Sequence, residues 1–106
     1  MRANRVDNNQ KEVVKLLTQN GCSVLNISSL KNCCDLMVSK NGHTVAVEIK
    51  DGSKPPSQRR LTEGEQAFER NWLGAWRLIE TLEDAAKLVN ELDDESLLRG
   101  RVNYKD

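Results

Sequence analysis

Asp35, Glu48 and Lys50 are the residues whose types and spacing offer chemistry: two carboxylates and an ammonium at the open end of a short apolar hairpin. Asn41-Gly42 is a strong two-residue hairpin turn because both residues tolerate positive φ. The runs on either side, Asp35 to Ser39 and Thr44 to Lys50, are apolar and β-branched, as strands are. Closing the hairpin at Asn41-Gly42 sets Lys40 opposite His43, and counting outward from that pair sets Asp35 opposite Glu48. Alternation then puts Thr44, Ala46, Glu48 and Lys50 on one side of the second strand, and Val45, Val47 and Ile49 on the other, where Leu36 and Val38 join them. Carboxylates opposed in this way, with Cβ atoms about 5 Å apart, repel each other. A hard divalent cation and the Lys50 ammonium, one pair along, are the natural compensators. The alternative is an ordinary solvated hairpin face on which Lys50 pairs with Glu48.

A chain of 106 residues with 38% hydrophobic and 30% charged side chains implies one globular domain over residues 1–106. Its core is expected over about residues 7–92, with a tail over about 93–106. No apolar run approaches the roughly 18 residues of a membrane span. Met1 to Arg5 lead into polar residues, so no secretory signal and a cytoplasmic location are expected. The three cysteines make no disulfide framework, and one histidine leaves few partners for a zinc site, so reduced thiols are expected. Net charge is zero, but residues 1–60 carry ten Lys/Arg against five Asp/Glu and residues 61–106 carry six against eleven. A basic half could face phosphates while an acidic remainder, dense at Asp93-Asp94-Glu95, stays in solvent; scattered surface charge is the plain alternative.

The elements that must position the hairpin follow from capping and periodicity. Asp7 with Gln10 reads as a capping box, Val6, Val13, Val14 and Leu17 recur at helical spacing, and Gly21 is a stop, giving a helix over about Asn8–Asn20. Val24, Ile27 and Leu30 suggest a further strand before the hairpin. Lys54 to Arg60, with two prolines, reads as an exposed basic loop. Thr62 with Glu65 forms a second capping box for a helix striped by Ala67, Phe68 and Trp72, which Gly74 ends. Trp76 to Ile79 is a strand, and Thr81 caps a last helix carrying Leu82, Ala85, Ala86, Leu88, Val89 and Leu92. The order is α-β-β-β-α-β-α. A strand–helix–strand crossover sets the fourth strand parallel to the third, so the fold class is α/β, a mixed central sheet flanked by helices.

Asp35-Leu36-Met37-Val38, then Val47-Glu48-Ile49-Lys50, with Glu12 on the first helix and this order of elements, resembles the PD-(D/E)XK nuclease superfamily. The chain is most similar to its small Holliday-junction-resolvase-like and phage-type members, which implies a bacterial or phage-infected host cell. Cys34 stands where the family often has proline. The resemblance implies a restriction-endonuclease-like αβββαβ(α) core and a metal-dependent DNA endonuclease cutting branched or structured DNA, leaving 5′-phosphate and 3′-hydroxyl ends. An end-, flap- or duplex-nicking nuclease and a catalytically silent nucleic-acid- or protein-binding module are the alternatives. It further implies that Asp35, Glu48 and the Ile49 carbonyl hold Mg²⁺, with Mn²⁺ able to substitute, that Lys50 orients the attacking water, and that Glu12 reaches the cation through water. For Glu12 the alternative is a surface pairing with Lys15. Lys54, Arg59, Arg60 and Gln66 are the candidates for DNA contact, Trp72 and Trp76 for packing, and a homodimer is expected because two cuts need two sites.

Overall fold

The computed structural model describes residues 8–94. Three α-helices, α1 (Gln10–Gln19), α2 (Glu63–Asn71) and α3 (Leu82–Asp93), surround a sheet of four strands, β1 (Ser23–Asn26), β2 (Leu36–Lys40), β3 (His43–Ile49) and β4 (Ala75–Ile79). The sheet is open and mixed, in the order β1-β2-β3-β4. Its first three strands are antiparallel and β4 runs parallel to β3, as the crossover through α2 requires. This is an α/β fold. No helix among the described residues is long and apolar enough to cross a membrane.

The hairpin carries the register. Asn41 and Gly42 both take positive φ, 56° and 83°, and their turn pairs Lys40 with His43 and Leu36 with Val47. Val45, Val47 and Ile49 therefore share the face that Leu36 and Val38 occupy, and all five are fully buried. α1 and α3 cover that face, with Val13 and Leu17 from one and Ala85, Leu88, Val89 and Leu92 from the other closing a single core. The remaining helix, α2, serves the opposite face and contributes no fully buried residue. Both capping boxes around β4 are complete: Thr62 with Glu65 starts α2, and Thr81 with Asp84 starts α3.

The ends of β2, β3 and β4 lie within one residue of their expected positions, and three further elements differ at their boundaries. The first strand stops at Asn26 because the Asn26 side chain accepts hydrogen bonds from the Ser28 N–H (3.0 Å) and hydroxyl (2.7 Å), a local turn that pulls the chain out of the ladder. α1 begins after Asn9 without a side-chain cap bond, and Asp7, half of the expected capping box, lies outside the described residues. α3 extends through Asp93, whose carboxylate sits 2.8 Å from Lys40 Nζ, while Asn41 Nδ2 donates to the Leu92 carbonyl (3.0 Å). The expected tail beyond Asp94 lies outside the described residues.

Leu36 stands at the centre of this packing and is wholly inaccessible to solvent, whereas Leu73 is 83% exposed. Leu36→Ala should lower unfolding free energy by about 2–5 kcal/mol in denaturant titration, and Leu73→Ala by no more than about 0.5 kcal/mol. Equal effects would contradict the placement of the core.

Candidate active site

The strand alternation that buries the valines of β3 sends Glu48 and Lys50 to the opposite face. Glu48 ends up only 3% exposed. Asp35 precedes β2 and continues its ladder: its N–H donates to the Val47 carbonyl (3.0 Å), and its carbonyl accepts from the Ile27 N–H (2.9 Å). Asp35 Oδ2 accepts from the Ile49 N–H at 2.8 Å. That bond fixes the carboxylate beside Glu48. Each of the two carboxyls perturbs the ionisation of the other.

Lys50 bridges this pair to α2. Its Nζ lies 2.9 Å from Glu65 Oε1 and 4.0 Å from Glu48 Oε2. The same Glu65 oxygen accepts from the Thr62 N–H at 2.8 Å, so the residue that completes the helix cap also anchors the lysine. Glu48 thus stands between two other carboxylates, Asp35 and Glu65. Burial first, and then the charges of Asp35 and Glu65, push its carboxyl up from the usual 4.5 to about 10. Asp35 is also raised, again chiefly by burial, against the opposing pull of the Ile49 N–H. For Glu65 burial acts upward, but hydrogen bonds from the Thr62 N–H and Lys50 outweigh it and hold the carboxyl below its usual range. Burial and the neighbouring carboxylates thus favour the protonated form of Glu48.

These residues fit a divalent cation in one specific sense. Two adjacent desolvated acids, one retaining its proton, are a site at which a cation can replace that proton. Among the described residues no group of three or more His, Cys, Asp or Glu side chains is arranged to hold a metal ion unaided. A site built on Asp35, Glu48 and a backbone carbonyl suits an ion that keeps several waters, as Mg²⁺ does.

The other residues singled out from sequence fall in different places. Glu12 is exposed on α1, beside Lys15, Leu16, Gln19 and Leu82, and is not among the groups that perturb Asp35 or Glu48. Arg59 is turned inward, its Nε donating to the Lys54 carbonyl (2.7 Å) and its Nη1 pairing with Glu80 at 3.2 Å, so it clamps the proline loop to the end of β4. Lys54 is half-buried and Arg60 exposed on that loop. Gln66 is exposed and donates to the Leu61 carbonyl (2.9 Å); its neighbour Glu65 is the α2 residue that joins the cluster. Trp72 stacks on Phe68, centroids 5.3 Å apart, and donates to the Ala75 carbonyl, while Trp76 is half-buried. Cys34 is buried against the Leu36 carbonyl and Met37, and burial raises its thiol to about 12; Cys33 is half-buried beside it. All three cysteines are free. From sequence Glu65 reads as half of the helix cap, while its second bond to Lys50 depends on how α2 lies over the sheet.

No family model, no curated protein and no solved structure matches this chain.

The raised Glu48 carboxyl ties stability to pH. Below pH 4.5 the group is neutral whether the chain is folded or unfolded. As pH rises toward about 10, the unfolded chain ionises while the folded one keeps its proton, so this group progressively lowers stability across the window. With chelator present, the stability of the parent relative to Glu48→Gln should therefore fall steadily from pH 5 to pH 9 in thermal or denaturant unfolding. A difference that is flat with pH would contradict the assigned environment.

Proposed function

We propose that the chain is a metal-dependent DNA endonuclease of the PD-(D/E)XK type, acting on branched or structured DNA in the manner of small Holliday-junction resolvases. The observation that carries this reading is the juxtaposition of Asp35 and Glu48, desolvated and side by side, with Lys50 next along the strand. The order of elements, with an antiparallel meander followed by a helix and a parallel strand, is compatible with a restriction-endonuclease-like core.

In this reading Asp35, Glu48 and the Ile49 carbonyl would hold Mg²⁺ or Mn²⁺. A bound ion would supply charge neutralisation at the scissile phosphate and would acidify the attacking water. The chain's own residues do the rest. The Ile49 N–H keeps Asp35 turned toward Glu48, whose carboxyl is buried. Lys50, held by Glu65, sets an ammonium where negative charge develops on the phosphate oxygens. Glu65 is a positioning residue for that lysine. Exposed Arg60 and half-buried Lys54 stand on the loop that follows β3 and are the groups offered to the DNA backbone. Cutting two strands symmetrically needs two such sites, so the working form is a homodimer.

Incubation with labelled four-way junction, flap, duplex and single-stranded DNA tests the reading. Junction cleavage should require Mg²⁺ or Mn²⁺ and should fall by about 10²-fold or more in Glu48→Ala and Lys50→Ala. Cleavage of flaps or nicked duplex alone would move the substrate class and keep the site. Binding without cleavage in any metal, or variants as active as the parent, would overturn it.

A further inference from the structure

The open sheet has two edges, β4 on one side and β1 on the other, and the chain treats them differently. On β4 the Ile79 carbonyl accepts from the Lys50 N–H, so by alternation the backbone groups of Ala75, Arg77 and Ile79 face β3 and those of Trp76 and Leu78 face outward. The outward Trp76 carbonyl already accepts from Arg77 Nη1 at 2.7 Å, and Glu91 of α3 holds that guanidinium at 2.8 Å. This edge is obstructed by the chain's own side chains.

The β1 edge is bare. The Ile27 N–H donates to the Asp35 carbonyl, which fixes the phase of the ladder: Ser23 and Leu25 turn their backbone groups to β2, and Val24 and Asn26 turn theirs outward. Among the described residues no hydrogen bond reaches those outward groups. Sheets protect such an edge with charged residues, proline or a bulge. Ser23-Val24-Leu25-Asn26 has no charge and no proline, and its register runs without a bulge. It presents instead Leu25, 61% exposed.

The bare edge matches a second copy of itself. Laid antiparallel about a two-fold axis at Leu25, the outward groups of Val24 meet those of Asn26 from the other copy, and the reverse, as two hydrogen-bonded pairs. Leu25 then faces its own counterpart in the closer, non-hydrogen-bonded pair between them, with Cβ atoms about 4.5–5.5 Å apart. No charge on the strand opposes this meeting, and the chain as a whole has net charge zero.

We propose that the chain dimerises through β1, two copies pairing antiparallel about Leu25 so that their four-stranded sheets become one. The contact gives the homodimer of the nuclease reading its surface, and rests on that reading for its purpose. Leu25 pairs with Met37 and Met37 with Ala46, so all three point to the side that carries Asp35 and Glu48, two residues further along β2 and β3. An axis normal to the sheet therefore keeps both carboxylate pairs on one face. Strands about 4.8 Å apart with about 3.3 Å per residue separate the two sites by on the order of 20–25 Å, where one bound DNA can meet both.

Sedimentation equilibrium of the full chain in chelator, from micromolar to millimolar concentration, tests the contact without reference to activity. The parent should rise from 12.0 kDa toward twice that mass. Leu25→Lys and Leu25→Glu, each setting like charges face to face at the axis, should remain monomeric, and an equimolar mixture of the two should regain the doubled mass. Because Leu25 is exposed, both variants should unfold within a few degrees of the parent in dilute solution. A doubled mass in either variant alone, or a mixture that stays monomeric, would overturn the proposal. So would a parent that is monomeric throughout, which would leave the edge to an extended segment of another protein. Metal-dependent DNA cleavage by such a monomer would keep the nuclease reading without this contact, whereas a Leu25-dependent dimer that cuts no DNA would keep the contact and remove that reading.

Discussion

Two carboxylates that must share one buried place on a sheet govern this structure. The turn at Asn41-Gly42 sets the register, and the register sets Asp35 opposite Glu48. A slip of one residue would turn every side chain of β3 over, exposing Val45, Val47 and Ile49 and sending Glu48 into the apolar core. The same valines that stabilise the hairpin therefore enforce the meeting of the acids. Apolar burial on one face holds in place an electrostatic conflict on the other, which favours the protonated form of Glu48 and sets the Lys50 ammonium 4.0 Å from it.

The remaining elements converge on the end of the sheet where this conflict lies. α2 brings Glu65 to Lys50 through a capping box that also starts the helix, so one carboxylate oxygen serves local and tertiary structure together. The Asn9 amide fastens α1 to the carbonyls just past the ends of β3 and β4, and Arg59 fastens the proline loop to Glu80. The far end is tied separately, with Lys40 and Asn41 holding the C-terminus of α3 to the hairpin tip. α1 and α3 make the core with one face of the sheet, while α2 has no buried residue and touches the site chiefly through polar bonds.

Much of this was legible in the sequence because local chemistry decided it. The Asn-Gly turn, the alternation of β3, the parallel β4 and the two Thr-initiated helix caps each rest on neighbouring residues, and the structure places them as those residues suggest. What local chemistry could not give was orientation between elements. Gln10 reads from sequence as half of a capping box, and only the docking of α1 shows it buried with its oxygen unpartnered. Arg59 reads as a free cation until Glu80, twenty-one residues on, is seen beside it. Asn26 ended β1 early through its own side chain, a turn that the apolar spacing of Val24 and Ile27 concealed. Glu12 and Gln66 are exposed on α1 and α2, since a helix position defines a face only once its partner surface is known.

The central claim is that the Asp35–Glu48 pair takes a divalent cation in exchange for the proton it otherwise retains. Calorimetric titration with Mn²⁺ at pH 7, repeated in buffers of different ionisation enthalpy, counts the protons that leave on binding. The account predicts release of about one proton by the parent chain and a marked loss of that release in Glu48→Gln, in which the group cannot ionise. Binding without proton release, or no binding by the parent, would contradict it.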